Sequence, residues 1–304
     1  MKKQMRGIYA VLPTAFDENY MVDLDGVKNI AQFTVDCGCH GIVTTVNGSE
    51  FYLLDEEERR LVVEAILKQV NGAVPVVVGV GARSMIQVEK LARHAQENGA
   101  NAVITMPPYI VHVTWDDMLR YYDKLNKAVD IPIFVQNFTP PLGTPLNAEQ
   151  IVDLSSRFEN IRYVKEETER PQQVLTQTLK LMEKMETPPL DGLFSGLGGL
   201  MVIDEFLRGA CGCMPACHFG DLFADLWNLL EANKIEEATT LFHTMLPALN
   251  FENVYPITTY NEVLKYRGVI KCANIRACNW AYYDEANYKE LDRLMQPLKP
   301  LFRV

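Results

Sequence analysis

Short apolar runs of strand character and helical patterns take turns along most of this chain, and no other feature restricts its fold so tightly. Such alternation marks a parallel sheet whose strands are joined by crossover helices. Runs at 7–12, 41–46, 74–80, 102–105, 131–135, 161–165, 192–194 and 209–213 read as strands. The run at 74–80 is apolar throughout, as a strand buried on both faces must be. Helical patterns fill the gaps at 24–35, from Asp55 onward with Glu56, Glu57 and Glu58 near the positive end, after a Ser84 cap, and at 114–129, 147–157, 171–185 and 199–207. After Ser84, Val88, Leu91, Ala92 and Ala95 share one helical face. Gly99 stops that helix, and Pro107-Pro108-Tyr109 breaks regular structure. About eight β/α units close a TIM barrel with right-handed crossovers. Beyond Phe219 the pattern is helical only, at 221–232, 235–248, near 260–266 and at 288–301. The expected architecture is α/β, a TIM (β/α)8 barrel over 1–218 with a C-terminal helical extension over 219–304.

At 304 residues, with 48% apolar and 22% charged side chains, the composition is that of a soluble globular protein with ample material for a core. A net charge of −10 and a pI of about 5.1 argue against nucleic acid or an acidic membrane as partner, since either calls for clustered Lys and Arg. A small anionic substrate would need a local positive site. The basic start, Met1 to Arg6, leads into an apolar run too short for a signal sequence, and no later run approaches bilayer length, so a cytoplasmic location is expected. Seven scattered cysteines do not form a secreted disulfide framework. Cys211, Cys213, Cys217 and His218 have a spacing that invites zinc, but 209–216 reads as a buried strand, where cysteine behaves as a small hydrophobe, so no metal is expected.

Active sites of TIM barrels sit at the C-terminal ends of the strands. Here those ends read Asn47-Gly48-Ser49, Pro107-Pro108-Tyr109, Gln136-Asn137, Lys165-Glu166 and Ser195-Gly196. Lys165 closes an apolar run and is the candidate nucleophile: where a strand emerges from a packed interior, desolvation leaves more of a lysine as the reactive amine. Small residues at Gly48 and Ser49 leave backbone N–H groups to form an anion nest, and the Ser49 hydroxyl adds a donor for a carboxylate. Strict alternation puts Glu167 on the lysine's face and Glu166 opposite, so Glu166 reaches the site only if the strand ends at the lysine.

Gly41-Ile42-Val43, Asn47-Gly48-Ser49-Glu50, Leu54 to Arg59, Gly79-Val80-Gly81, Ala95 to Ala102, Pro107-Pro108-Tyr109 and Lys165-Glu166 together resemble the dihydrodipicolinate synthase / N-acetylneuraminate lyase family, in order from Gly7 to about Arg276. The resemblance implies a barrel with a C-terminal helical region, a homotetramer, and a Schiff base between a lysine, here Lys165, and a small 2-keto acid. The strand-end reading offers Asn47, Gly48, Ser49 and Gly196 as substrate-binding positions, and the resemblance adds Tyr109.

Two departures set expectations about the reaction. The family's carboxylate loop commonly reads Gly-Thr-Thr-Gly-Glu, where this chain has Val46-Asn47-Gly48-Ser49-Glu50. Its synthases and aldolases carry a proton-shuttling tyrosine before an asparagine on the strand preceding the lysine strand; this chain has Gln136 before Asn137. A phenol of pKa ~10 lends and recovers a proton, whereas a carboxamide offers only hydrogen bonds. Aldol cleavage must deprotonate the hydroxyl on the breaking bond, so loss of the phenol favours elimination of water. The Gln-Asn pair and the Asn-Gly-Ser loop resemble the branch that dehydrates 2-keto-3-deoxy-L-arabonate to 2-oxoglutarate semialdehyde. The expectation is therefore a Schiff-base dehydratase of a 2-keto-3-deoxy sugar acid, with Lys165, Gln136 and Glu166 as catalytic residues. The imine serves as electron sink, so no metal or organic cofactor is expected. The alternatives are a pyruvate-releasing aldolase of the same family and a non-catalytic keto-acid sensor.

Overall fold

A computed structural model of the chain describes residues 4–108, 113–138, 144–277 and 282–304. Eight parallel strands close a barrel in chain order: β1 (Gly7–Val11), β2 (Gly41–Thr44), β3 (Val76–Gly79), β4 (Ala102–Thr105), β5 (Ile133–Phe138), β6 (Ile161–Glu167), β7 (Gly192–Ser195) and β8 (Gly212–Cys213). The register pairs Tyr9 with Gly41, Val77 with Ala102, Val103 with Ile133, Gln136 with Lys165, Glu166 with Ser195, and Ser195 with Cys213. Helices α1 (Leu24–Asp36), α2 (Glu56–Val70), α3 (Met85–Glu97), α4 (Trp115–Asn126), α5 (Ala148–Arg157), α6 (Pro171–Met182) and α7 (Val202–Leu207) alternate with the strands. Past the 3₁₀ turn Cys217–Phe219 come only helices: α8 (Gly220–Glu231), α9 (Ile235–Val254), α10 (Pro256–Tyr266) and α11 (Glu285–Met295). The (β/α)8 barrel with C-terminal helices expected from the pattern is thus observed. The chain packs as two compact units, one of Pro75–Met214 with the N-terminal residues up to Arg6, the other of Gly7–Val74 with Pro215–Val304.

Helix starts follow the capping residues. Asp55 accepts from the Glu58 amide at 2.8 Å while the Glu58 carboxylate reaches back to the Asp55 N–H, a reciprocal box that satisfies two orphan donors. Ser84, Thr114 and Asn147 cap α3, α4 and α5 in the same sense. Strand ends depart from expectation in a way that matters for chemistry. β5 runs to Phe138 instead of Val135, and β6 runs to Glu167 instead of stopping at Lys165, because Asn137 and Phe138 go on pairing with Glu166 and Glu167. α7 begins at Val202, three residues late, since Gly198 and Gly199 adopt positive φ in a 3₁₀ turn that ends the β7 corner. Beneath the polar strand ends lies an aromatic floor: Phe134 stacks on Tyr163 with centroids 4.6 Å apart, and Phe194 meets Phe134 edge-on at 5.3 Å.

Candidate active site

Tyr163, Lys165 and Glu167 alternate onto one face of β6, and the extension of the strand turns Glu167 back toward the lysine. Lys165 Nζ lies 2.9 Å from Glu167 Oε1, and both residues are only 5% exposed. Gln136, paired with Lys165 across the ladder, donates its amide to Glu167 Oε2 at 2.7 Å. The Leu197 amide completes the cradle, donating to Glu167 Oε1 at 3.1 Å from a residue held at φ 48°. One buried carboxylate therefore receives a side-chain amide, a backbone amide and the lysine amine. It is fixed within hydrogen-bond distance of the nitrogen, in position to take or return a proton.

Glu166, expected as a catalytic group, faces the other way. With the strand continuing past Lys165, its carboxyl points from the opposite face and is fully buried among donors. Asn137 Nδ2 donates to Oε2 at 2.8 Å, the Thr168 amide to Oε1 at 2.9 Å, and the Thr168 hydroxyl also meets Oε1. Asn137 in turn bonds the backbone of Leu146 through both ends of its amide. Burial pushes the Glu166 carboxyl up to about 7 against these hydrogen bonds, and the neighbouring Glu167 charge adds to the rise. The placement differs from the expected one: Glu167, not Glu166, touches the amine, and Glu166 ties the ends of β5 and β6 together.

Gly196, expected to bind substrate, has a packing role in the β7 corner. A Cβ there would lie 2.2 Å from Glu167 Cγ, so only glycine lets the β7 corner close over the carboxylate. Behind the corner, buried Glu205 of α7 faces the Ser195 hydroxyl; burial pushes its carboxyl up to about 7, Ser195 opposes the rise, and the charges of Asp204, Glu166 and Glu167 add to it. The sequence reading passed over Glu205, whose only signal was a carboxylate on the apolar side of a short helix.

The Asn47-Gly48-Ser49 stretch forms a 3₁₀ turn after β2. Contrary to expectation, the Ser49 hydroxyl is spent inside the fold: it donates to the Leu12 carbonyl and accepts from the Val46 amide. A hydroxyl has one proton, so it does not also donate to a ligand. The Ser49 and Glu50 amides close the turn onto Val46 and Asn47. Gly48 packs tightly, with a Cβ there falling 3.1 Å from Val11 Cγ1. Tyr109 lies outside the described residues. Burial pushes the thiols of Cys211, Cys213 and Cys217 up to about 12. Among the described residues no group of three or more His, Cys, Asp or Glu is placed to hold a metal ion, and no helix is long and apolar enough to cross a membrane.

The fold and site together are a closed parallel barrel with a lysine and its carboxylate partner at the end of the sixth strand. Its sequence matches the model of the dihydrodipicolinate synthetase family over residues 4–296, and the chain belongs to that family. It is 28% identical over 269 residues to the L-2-keto-3-deoxyarabonate dehydratase of Azospirillum brasilense, covering 87% of this chain and 85% of the other. It is 29% identical over 164 residues to a protein of Escherichia coli K12 named "Probable 2-dehydro-3-deoxy-D-pentonate aldolase YjhH", covering 54% of each. Its fold is similar to that of dihydrodipicolinate synthase from Rhodopseudomonas palustris, with a TM-score of 0.90 at 24% identity over 97% of this chain and 98% of that one.

Proposed function

We propose that this protein is a Schiff-base-forming dehydratase of a 2-keto-3-deoxy sugar acid, with 2-keto-3-deoxy-L-arabonate as the substrate the Azospirillum relative points to. The observation that carries the reading is the Gln136–Glu167–Lys165 contact. A carboxamide stands where aldolases of the family place a phenol, and it holds a base against the amine instead of acting as one. Lys165 attacks the C2 carbonyl and Glu167 takes the proton that the amine gives up; returning it to the carbinolamine hydroxyl lets water leave, an iminium forms, and Glu167 is a carboxylate again. Glu167 next removes a proton from C3, which the iminium acidifies, to give an enamine. Return of that proton to the C4 hydroxyl lets it leave as water, and the enamine electrons close a conjugated iminium. Tautomerisation and hydrolysis free 2-oxoglutarate semialdehyde and restore the amine. Each step uses one carboxyl as base and then as acid, the work of a group fixed by three donors. A homotetramer acting on a small 2-keto acid is part of this reading on the family resemblance alone, and a cytoplasmic location on the absence of a signal-like or bilayer-length apolar run in the sequence.

The named Escherichia coli relative favours one rival, cleavage to pyruvate and an aldehyde. The test is turnover of a panel of 2-keto-3-deoxy pentonates and hexonates, with products assayed by mass spectrometry. Semialdehyde with loss of one water supports the dehydratase; stoichiometric pyruvate and aldehyde removes it in favour of the aldolase.

A further inference from the structure

The last rungs of the β5–β6 ladder are held from the face opposite Lys165. Asn137 and Glu166 are paired there, both fully buried, and Asn137 Nδ2 donates to Glu166 Oε2 at 2.8 Å. The same nitrogen gives its second proton to the Leu146 carbonyl, and the Leu146 amide donates back to Asn137 Oδ1, each at 2.8 Å, so this carboxamide is itself fixed at the entrance to α5. At its other oxygen, Oε1, Glu166 accepts from the Thr168 amide at 2.9 Å and from the Thr168 hydroxyl. A side chain that binds the amide two residues on closes a ring around the residue between them. That residue is Glu167. Its place in the ladder makes the ring matter: Lys165 is paired on both sides, with Gln136 and with Phe194, whereas the pairing with β7 ends at Glu166 and leaves Glu167 beside Phe138 alone.

We infer that Glu166 is a positioning residue for Glu167: its buried carboxyl, pinned by Asn137, brackets the Glu167 backbone from behind and aims that side chain at the amine. The inference rests on the proposed reading, in which Glu167 carries the C3 proton. Gln136, the Leu197 amide and Lys165 grip the tip of the Glu167 carboxylate, and the Glu166 ring fixes its root. Every hydrogen bond to Glu166 comes from a donor, so a carboxylate fits the bracket and a carboxamide does not. With glutamine at position 166 the new N–H group faces either Asn137 Nδ2 or the Thr168 amide, donor against donor, and one side of the bracket opens. An acid at position 137 removes the conflict. Buried and therefore neutral, it donates its proton to the Leu146 carbonyl, accepts the Leu146 amide on its other oxygen, and accepts the new amide at position 166.

The test uses pyruvate on the intact protein and reads two events. Borohydride at low concentration traps the imine, which gives the half-saturating pyruvate concentration and, at saturation, counts the folded sites. Exchange of the pyruvate methyl hydrogens in heavy water, followed by NMR and referred to those sites, needs Glu167 as well as Lys165. For Glu166→Gln the saturated exchange rate falls about 10- to 100-fold, the loss that goes with a displacement of about 1 Å, while the half-saturating concentration is unchanged. Adding Asn137→Asp to Glu166→Gln restores most of the parent rate, a coupling between neighbours that two independent structural defects would not show. A parent-like exchange rate in Glu166→Gln, a half-saturating concentration that rises as steeply as the rate falls, or a double variant no faster than the single one overturns the inference while the Schiff-base reading stands. Labelling of Lys165 without methyl exchange in the parent protein overturns Glu167 as carrier and the inference with it, and no labelling of the parent overturns the whole reading.

Discussion

Glu167 and Glu205 carry opposite consequences for activity and stability. Glu167 is the proposed proton carrier in contact with the amine; Glu167→Gln keeps the shape, but its single oxygen can accept from only one of the Gln136 and Leu197 donors, which meet different oxygens of the parent carboxylate, and it has no basic site. Its kcat for dehydration is expected to fall by about 10²–10⁴, the usual contribution of a general acid–base group, as a steady-state assay reads. Glu205 lies outside that chemistry. Its carboxyl is raised from 4.5 to about 7, chiefly by burial, so the folded chain holds a proton that the unfolded chain releases at lower pH. That contribution to stability is full below about pH 4.5 and is lost as pH rises through 7. Glu205→Gln removes the loss. Relative to the parent it should gain on the order of 1–3 kcal/mol between pH 5 and pH 8 in denaturant titrations; a pH-independent difference contradicts the assignment. These residues were unevenly legible in the sequence. Lys165 stood out as a lone lysine closing an apolar run, and Gln136 as a carboxamide in a phenol's place. The working carboxylate did not, because Lys-Glu-Glu reads as a polar strand end. Only the ladder to Asn137 and Phe138 shows that all three residues stay inside the strand.

At the scale of elements, the corner after β7 decides how tightly the carboxylate is held. Gly196 leaves no room for a methyl group beside Glu167, and Leu197 at φ 48° aims its amide at Oε1. Gly196→Ala must therefore move either the corner or Glu167, and a displacement of about 1 Å is enough to cost roughly 10²-fold in kcat. Measurement of kcat beside the unfolding midpoint separates this from simple instability, since the fold is retained if only the corner shifts. Element types and order follow directly from periodicity, and caps such as Asp55, Ser84 and Asn147 mark true helix starts. Boundaries fail where side chains satisfy one another. Buried polar strand ends at Gln136–Asn137 and Glu166–Glu167 look exposed one residue at a time, and become interior only as partners. Likewise α9 continues through Pro247 to Val254, past the expected stop at 248, and α10 opens at Pro256 instead of near 260.

For the molecule as a whole, eight β/α repeats were enough to read the barrel from the sequence, while the long-range clasps that fasten the C-terminal helices were not. Arg267 shows why. Its guanidinium is buried between the rings of Phe33 and Phe302, at 4.7 and 3.9 Å from their centroids, and donates to Asp221, to the His218 carbonyl and to the Val304 carbonyl. Asp221 also accepts the Arg303 amide at 2.9 Å. No local spacing announces a pair separated by 46 residues. Arg267→Met leaves a buried carboxylate without its counter-charge and is expected to cost about 3–5 kcal/mol in unfolding free energy, read from a denaturant titration. The central claim is that a catalytic amine at the end of β6 bonds the keto carbon of the substrate. The most direct measurement is peptide mass spectrometry of the protein reduced with borohydride in the presence of a 2-keto-3-deoxy pentonate. The account predicts a reduced adduct on the peptide carrying Lys165 and its loss in Lys165→Arg. An adduct on another residue, or turnover that survives Lys165→Arg, would contradict it.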